Sequence, residues 1–289
     1  MGQYVSLPMR KTFLIMMVSA LCNPVLSMAE TIVFEDAAVK AVCIANWDTD
    51  GDGELSKDEA VAVTSLGEAF RDNKEIGAFP ELKYFKNLTE IGEYAFSGST
   101  ISGELRIPGT VETIGDYAFY NCRRLTAVVL EEGVKRVGWH SFSGPIRTMV
   151  LPKSLTFMSS MAIDPYVNAD PSSGIFIPEG DLTVYSFAPK PADIDGFAFY
   201  FVYGGAHLVV PHGCKEAYRA SGPWSRFGEY IEVGDVNRDG KLNVADITRL
   251  IAYVTGREYT EIEARIADVN GDGAVDADDV TLLCSYILG

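Results

Sequence analysis

One phrase recurs at a fixed distance in this chain and limits its fold more than any other feature. It reads Ile91-Gly-Glu-Tyr-Ala-Phe96, then Ile114-Gly-Asp-Tyr-Ala-Phe119, then Val137-Gly-Trp-His-Ser-Phe142, each copy 23 residues after the last. A fixed period in the twenties marks a solenoid, in which each unit buries its apolar face only against its neighbours. A second phrase lies between the copies: Leu105-Arg-Ile107-Pro108, Val128-Val-Leu130, Val150-Leu151-Pro152 and Ile175-Phe-Ile177-Pro178. Its alternation predicts one short strand per unit, closed by proline. The glycine after Ile or Val is expected to permit a tight turn. Ala-Phe is expected to supply one small and one large residue to the layer between coils.

These phrases resemble the BspA-type leucine-rich repeat, common in surface and secreted proteins of anaerobic bacteria. The resemblance is clear from about Leu88 to Pro152, and Phe157–Ala162 and Ile194–Phe199 echo it. Leu208 to Tyr218 and Trp224 to Phe227 resemble the closing segment of such arrays. The resemblance implies an α/β-type solenoid over residues 85–233, with one short strand per repeat. Solenoids present extended faces rather than deep clefts, which suits a protein or glycan ligand.

The chain has 289 residues, enough for two or three modules, and its 47 % hydrophobic content is that of a globular protein. A net charge of −16 argues against nucleic acid, whose phosphates need a basic surface, and suits an extracellular calcium binder. Cysteines 22, 43, 122, 214 and 284 are spread too thinly for a disulfide framework and read as buried thiols. Only Cys122 and Cys214 could pair within one module. Arg10-Lys11, the apolar run Thr12–Leu21 and Ser27-Met-Ala29 read as a secretory signal peptide over residues 1–29, with Met9 as a possible start. Cleavage after Ala29 is expected; the alternative is lipidation at Cys22, for which Leu21 is a poor preceding residue. No segment is expected to span a membrane.

Residues 30–84 carry a different signal. Asp48-Thr-Asp50-Gly-Asp52-Gly53-Glu-Leu-Ser-Lys-Asp-Glu59 sits between two helix-like stretches. Asp48, Asp50 and Asp52 at loop positions 1, 3 and 5, glycine at 6 and Glu59 at 12 are what an EF-hand requires. The Glu54 carbonyl serves at position 7 and Ser56 at 9. A single hand needs a supporting surface, which Phe79 to Leu88 would offer, so this segment is expected to be a calcium-stapled amino-terminal cap.

The tail, 234–289, repeats the theme. Asp235, Asn237, Asp239, Asn243 and Asp246 place oxygen donors at positions 1, 3, 5, 9 and 12. Asp268, Asn270, Asp272, Asp276 and Asp279 do the same 33 residues later. Lys241 and Ala274 supply the carbonyl at position 7. Each loop runs into an amphipathic helix ending in glycine, Gly256 or Gly289, and no helix precedes the first loop. Three calcium sites are therefore expected in the whole chain.

Paired loops of this design resemble a type I dockerin, an all-α module that plugs into a cohesin. The resemblance implies a cohesin-like partner reading the loop-end pairs Val244-Ala245 and Ala277-Asp278 and the exposed helix faces. Those faces are assigned to Arg249, Ala252 and Tyr253 on the first helix and to Ser285 and Tyr286 on the second. Ile247, Leu250, Ile251, Val254, Leu282, Leu283 and Ile287 follow core spacing. Best-known dockerins have Ser-Thr at the loop ends; this chain does not, so the family's specificity does not carry over. Because the two pairs differ, two-way docking is also in doubt. A calcium-stapled tail without a partner is the plainer alternative.

His140, His207 and His212 are scattered, and no spacing proposes a catalytic triad, phosphate loop or zinc site. The expected protein is a secreted or cell-surface, non-enzymatic monomer that binds through its array and attaches through its tail. An accessory or enzymatic role in extracellular polysaccharide degradation, and a purely structural surface role, are the alternatives. Cap, array and tail leave no room for a catalytic barrel of about 250 residues.

Overall fold

The computed structural model describes residues 30–164, 182–200, 202, 205–257 and 262–289. The expected leader and the expected strand at Ile175–Pro178 lie outside the described residues. Each phrase opens a coil. Its start forms a two-residue strand, and Glu90–Ile91, Thr113–Ile114, Arg136–Val137 and Phe157–Met158 pair in parallel. The second phrase forms the longer strands. Ser102–Ile107, Arg124–Leu130, Thr148–Leu151, Thr183–Ser186, His207–Val210 and Glu229–Glu232 lie side by side in chain order, all parallel. In register, Leu105, Val128, Met149, Val184, Leu208 and Tyr230 point into the main core.

The layer between coils is a column of phenylalanines. Phe96 stacks on Phe119 at 4.9 Å and Phe119 on Phe142 at 5.2 Å, with rings within 11° of parallel. The column starts one coil earlier than the fixed spacing suggested, because Phe70 stacks on Phe96 at 4.8 Å. Leu66-Gly67-Glu68-Ala69-Phe70 is a copy of the phrase shortened by one residue, which a search at constant length passes over.

The expected turn forms, with the Gly92 and Gly115 carbonyls accepting from the Ala95 and Ala118 amides at 3.4 Å, but the glycine is not its left-handed residue. The left-handed residue of each coil is Tyr94 (φ 58°), Tyr117 (φ 56°), His140 (φ 46°) or Met161 (φ 52°), not the glycine. Left-handed backbone costs a non-glycine residue roughly 1–2 kcal/mol. Stacking of Tyr94 on Tyr117 at 4.9 Å returns about 0.5–1.5 kcal/mol of it. Gly115 and Gly138 are needed for close approach: a Cβ on either would sit within 2.8 Å of a backbone nitrogen, that of Glu93 or Asp116, in the preceding coil.

Both ends of the array are closed. At the amino end, helices α1 (Ala37–Trp47) and α2 (Lys57–Ala62) flank a loop, and Trp47 packs edge-on to Phe85 at 5.6 Å. Asp36 joins this unit to the array. Its Oδ1 accepts from the Ala38 and Val39 amides as helix cap, and its Oδ2 accepts from Gly77 and Ala78 at 2.5 and 3.2 Å. Partial burial works against its charge, but those four amides outweigh it and hold its pKa below the ordinary 3.8. At the carboxyl end, α3 (Lys215–Arg219) brings in Tyr218, whose hydroxyl donates to the Ala188 carbonyl, and Trp224 donates from its indole to Ala192. Phe199 packs edge-on to Trp224 and Phe227.

The tail adds α4 (Val244–Val254), α5 (Ala264–Ala267) and α6 (Ala277–Leu288) around Val236, Ile247, Leu250, Ala267 and Leu283. Ile251 departs from its expected core position: it is 38 % exposed, because the contact face of α4 is narrowed to Ile247, Leu250 and Val254. Leu282 and Ile287 are half-buried. Among the described residues Cys43, Cys122, Cys214 and Cys284 are free thiols, and burial pushes Cys122 up to about 11. No described helix is long and apolar enough to cross a membrane.

Phe119→Ala should lower the free energy of unfolding by about 3–5 kcal/mol in chemical denaturation, since the ring is wholly buried between two others. Asp36→Ala should cost about 1 kcal/mol or more at neutral pH through the lost cap. A depressed pKa stabilises above the unfolded value of 3.8 and is lost as pH falls through the folded one. The gap between variant and wild type, read from melting temperatures, should therefore close in acid.

Candidate metal-binding loops and partner face

Three loops share one pattern of hydrogen bonds. At position 1, Asp48, Asp235 and Asp268 each accept through Oδ2 from the position-6 amide of Gly53, Gly240 or Gly273, at 2.9–3.0 Å. At position 12, one oxygen of Glu59, Asp246 or Asp279 accepts from the backbone of position 9, which is Ser56, Asn243 or Asp276. The other oxygen accepts from Thr49, from Asn237, or from Val269 and Asn270. Positions 9 and 12 thus form a capping box for the helix that follows, in all three loops. A spacing of three serves both the helix start and the closing of a ligand shell. The position-6 glycines have φ of 83°, 79° and 91°, where a side chain would be strained.

The remaining donors are in place around these two. Carboxylate oxygens of Asp48, Asp50 and Asp52 lie within 4.8 Å of one another. Asn237 and Asn270 accept from the Asp239 and Asp272 amides at 2.9 and 2.8 Å, which orients their amide groups within the loop. Lys241 and Ala274 donate to Asp239 and Asp272, as Glu54 does to Asp52, which orients the position-7 peptide. The Glu54 carboxylate itself pairs with Lys40 at 2.6 Å, leaving its carbonyl as the donor. A convergent all-oxygen set of this kind fits a hard divalent cation.

The electrostatics agree. Burial, with the neighbouring charges of Asp246 and Asp279, raises the pKa values of Asp235 and Asp268 against the pull of their amide donors. Crowded carboxylates of this sort are relieved by a bound cation. Glu59 differs: partial burial raises it, but the Ser56 and Thr49 donors outweigh this and hold it at about 2.

The residues assigned to a partner divide unevenly. Val244 (57 % exposed), Ala245 and Tyr253 (40 % exposed) face solvent on α4, while Arg249 is half-buried. Ile251, about two turns after Val244 on the same side of α4, is exposed as well; only packing reveals it, because its spacing is that of a core residue. On α6, Ala277, Asp278, Ser285 and Tyr286 (41 % exposed) face solvent, and the Tyr286 ring also stacks on His212 of the array at 4.7 Å. The three histidines do not converge: His140 is in the third copy of the phrase, while His207 opens the strand His207–Val210 and His212 follows it, each beside its own carboxylate, Asp164, Glu229 or Glu232.

Family comparison identifies both modules. A model for the BspA type leucine rich repeat region matches six copies over residues 68–167. A model for the dockerin type I domain matches residues 233–288. The chain carries BspA-type leucine-rich repeats and a type I dockerin. The repeat match begins at 68, within the shortened copy that ends on Phe70. No curated protein and no solved structure matches the chain. Both modules are non-catalytic types, and a type I dockerin binds calcium.

Asp268→Ala should remove one calcium from the stoichiometry measured by calorimetry and lower the melting temperature in calcium, because metal binding to the folded loop adds to folding free energy. Unchanged stoichiometry would refute the ligand assignment.

Proposed function

We propose that this chain is a secreted, non-enzymatic attachment protein. Its dockerin seats in a cohesin-like partner through the first repeat, while its array binds a protein or glycan. The observation that carries the reading is the set of apolar side chains exposed on α4, Val244 and Ile251 along one margin of its solvent side and Tyr253 along the other, at 57, 38 and 40 % exposure. Apolar and aromatic side chains held out on a rigid helix are the usual anchors of an interface. The equivalent positions on α6 are Ala277, Cys284 and Tyr286, a less apolar set: Cys284 is half-buried, and Tyr286, as exposed as Tyr253, has its ring against His212. That difference supports docking in one orientation.

Calcium enters as the element that sets the helix. In this reading each loop holds one ion, three in all. Asp48, Asp50, Asp52, Glu54, Ser56 and Glu59 form the amino-terminal, EF-hand-like site. The tail sites are built from the carboxylates, amides and position-7 carbonyls described above. Extracellular placement rests on the two module types, both typical of extracellular proteins, and on the leader-like start of the sequence. On the array, Trp139, in the turn after the strand Arg136–Val137, and Phe197 and Tyr200, in the turn after Asp195, are exposed aromatics, which supports that edge as its ligand surface.

Titration of the full chain against a panel of purified cohesin modules tests the attachment. Tyr253→Ala should weaken capture by about 2 kcal/mol or more, the size of a hot spot, while calcium stoichiometry is kept. Tyr286→Ala should change it far less. Equal losses for both would replace one docking face with two, and no loss for either would overturn the assignment.

A further inference from the structure

The long sheet of the array has a second apolar row, on the side facing away from the core. One position along from the inward row, Arg106, Val129, Val150, Tyr185, Val209 and Ile231 stand in register and point outward. A solenoid gives that face to water or to a ligand. Here the five residues from Val129 to Ile231 are buried, and they form a cluster with Val233 and with Ile266 of α5, against which Phe187 and Val269 pack. The cover is the segment leading into the second dockerin loop.

Polar contacts fix the cover at its margins. Gly234 donates its amide to the Ile266 carbonyl at 2.8 Å. Arg265 pairs with Glu104 at 2.8 Å and lies over the Tyr185 ring, 5.7 Å from its centre. The strand Glu229–Glu232 passes to the first ligand, Asp235, through Val233 and Gly234 alone, so no linker lets the module swing free. Gly234 is left-handed (φ 97°), and a Cβ there would meet Leu283 at 2.8 Å.

Val269 belongs to two clusters at once, the outward row and the core of the module. It is also position 2 of the second loop, and its amide and that of Asn270 donate to the Asp279 carboxylate. We propose that the outward apolar row of the array is a docking surface for this chain's own second calcium repeat, and that calcium in that loop holds the cover closed. The proposal rests on reading residues 268–279 as a calcium loop. Without a cation, the carboxylates of Asp268 and Asp279 repel each other; the loop loosens, and Ile266 and Val269 lose the geometry that seats them. Calcium then decides whether an apolar strip of the array is covered or offered to another molecule.

The experiment is small-angle scattering of the full chain with dye binding to apolar surface, in saturating calcium and after chelation, beside calorimetric stoichiometry. Wild type should be compact in calcium; on chelation its radius of gyration and dye fluorescence should both rise, and both should reverse on adding calcium back. Ile266→Asp and, from the opposite side of the contact, Val150→Asp should show the open profile in calcium while keeping the wild-type calcium stoichiometry. A compact profile in both variants, or an unchanged profile after calcium has been released, overturns the latch and leaves the calcium loop standing. Calorimetry that shows no calcium lost in Asp268→Ala overturns the loop reading and the latch together.

Discussion

The stacking of one coil on the next is the contact on which the rest of this molecule depends. Phe70, Phe96, Phe119 and Phe142 form one column, and no coil has an interior of its own. Stability in such an array is a sum over neighbours, so the open ends are its weakness. This chain closes them with different devices. At the amino end one carboxylate, Asp36, caps a helix and also holds two amides of the first coil, coupling the helical unit to the array through four hydrogen bonds. At the carboxyl end large aromatic residues, Tyr218, Trp224 and Phe227, fill the last layer, and their polar atoms are tied to backbone carbonyls where they are buried.

The three acidic loops solve another problem with a single geometry. Each must start a helix and gather oxygens around a point. The capping box does both, since the position-9 side chain and the position-12 carboxylate satisfy the first amides of the helix and converge on the loop interior. The burden of crowding negative charge falls on Asp235 and Asp268, whose carboxyl groups are pushed toward protonation by burial and by the carboxylate opposite. A chain with net charge −16 tolerates this most easily where a divalent cation is at hand.

The tail is part of the array's surface as well as an attachment. Covering a five-residue apolar row gives the module a fixed seat, and that seat removes the symmetry suggested by its two similar repeats. The first helix leaves Val244, Ile251 and Tyr253 exposed without an array contact among the described residues, whereas the exposed Tyr286 of the second has its ring stacked on His212. A partner held by the first helix would thus hold the array at a set angle, without the slack of a linker.

The sequence by itself determined the period, one apolar strand per unit, the loop positions at which oxygen-bearing side chains recur and the identity of both modules. These are local: a fixed spacing, an alternation of two, or an Asp-x-Asp-x-Asp-Gly run has its physical meaning within one turn or strand. The start of the array at Phe70 escaped because one deleted residue breaks a constant period while leaving the stack intact. The role of Gly115 and Gly138 escaped because close approach to the previous coil involves atoms 23 residues away. Only the tertiary structure decided that Ile251 faces water, that Tyr286 meets His212, and that Val129, Val150, Tyr185, Val209 and Ile231 are covered by the tail. Those outcomes depend on which surfaces meet across more than 30 residues of chain, and a hydrophobic pattern records that a side chain wants burial without naming what will bury it.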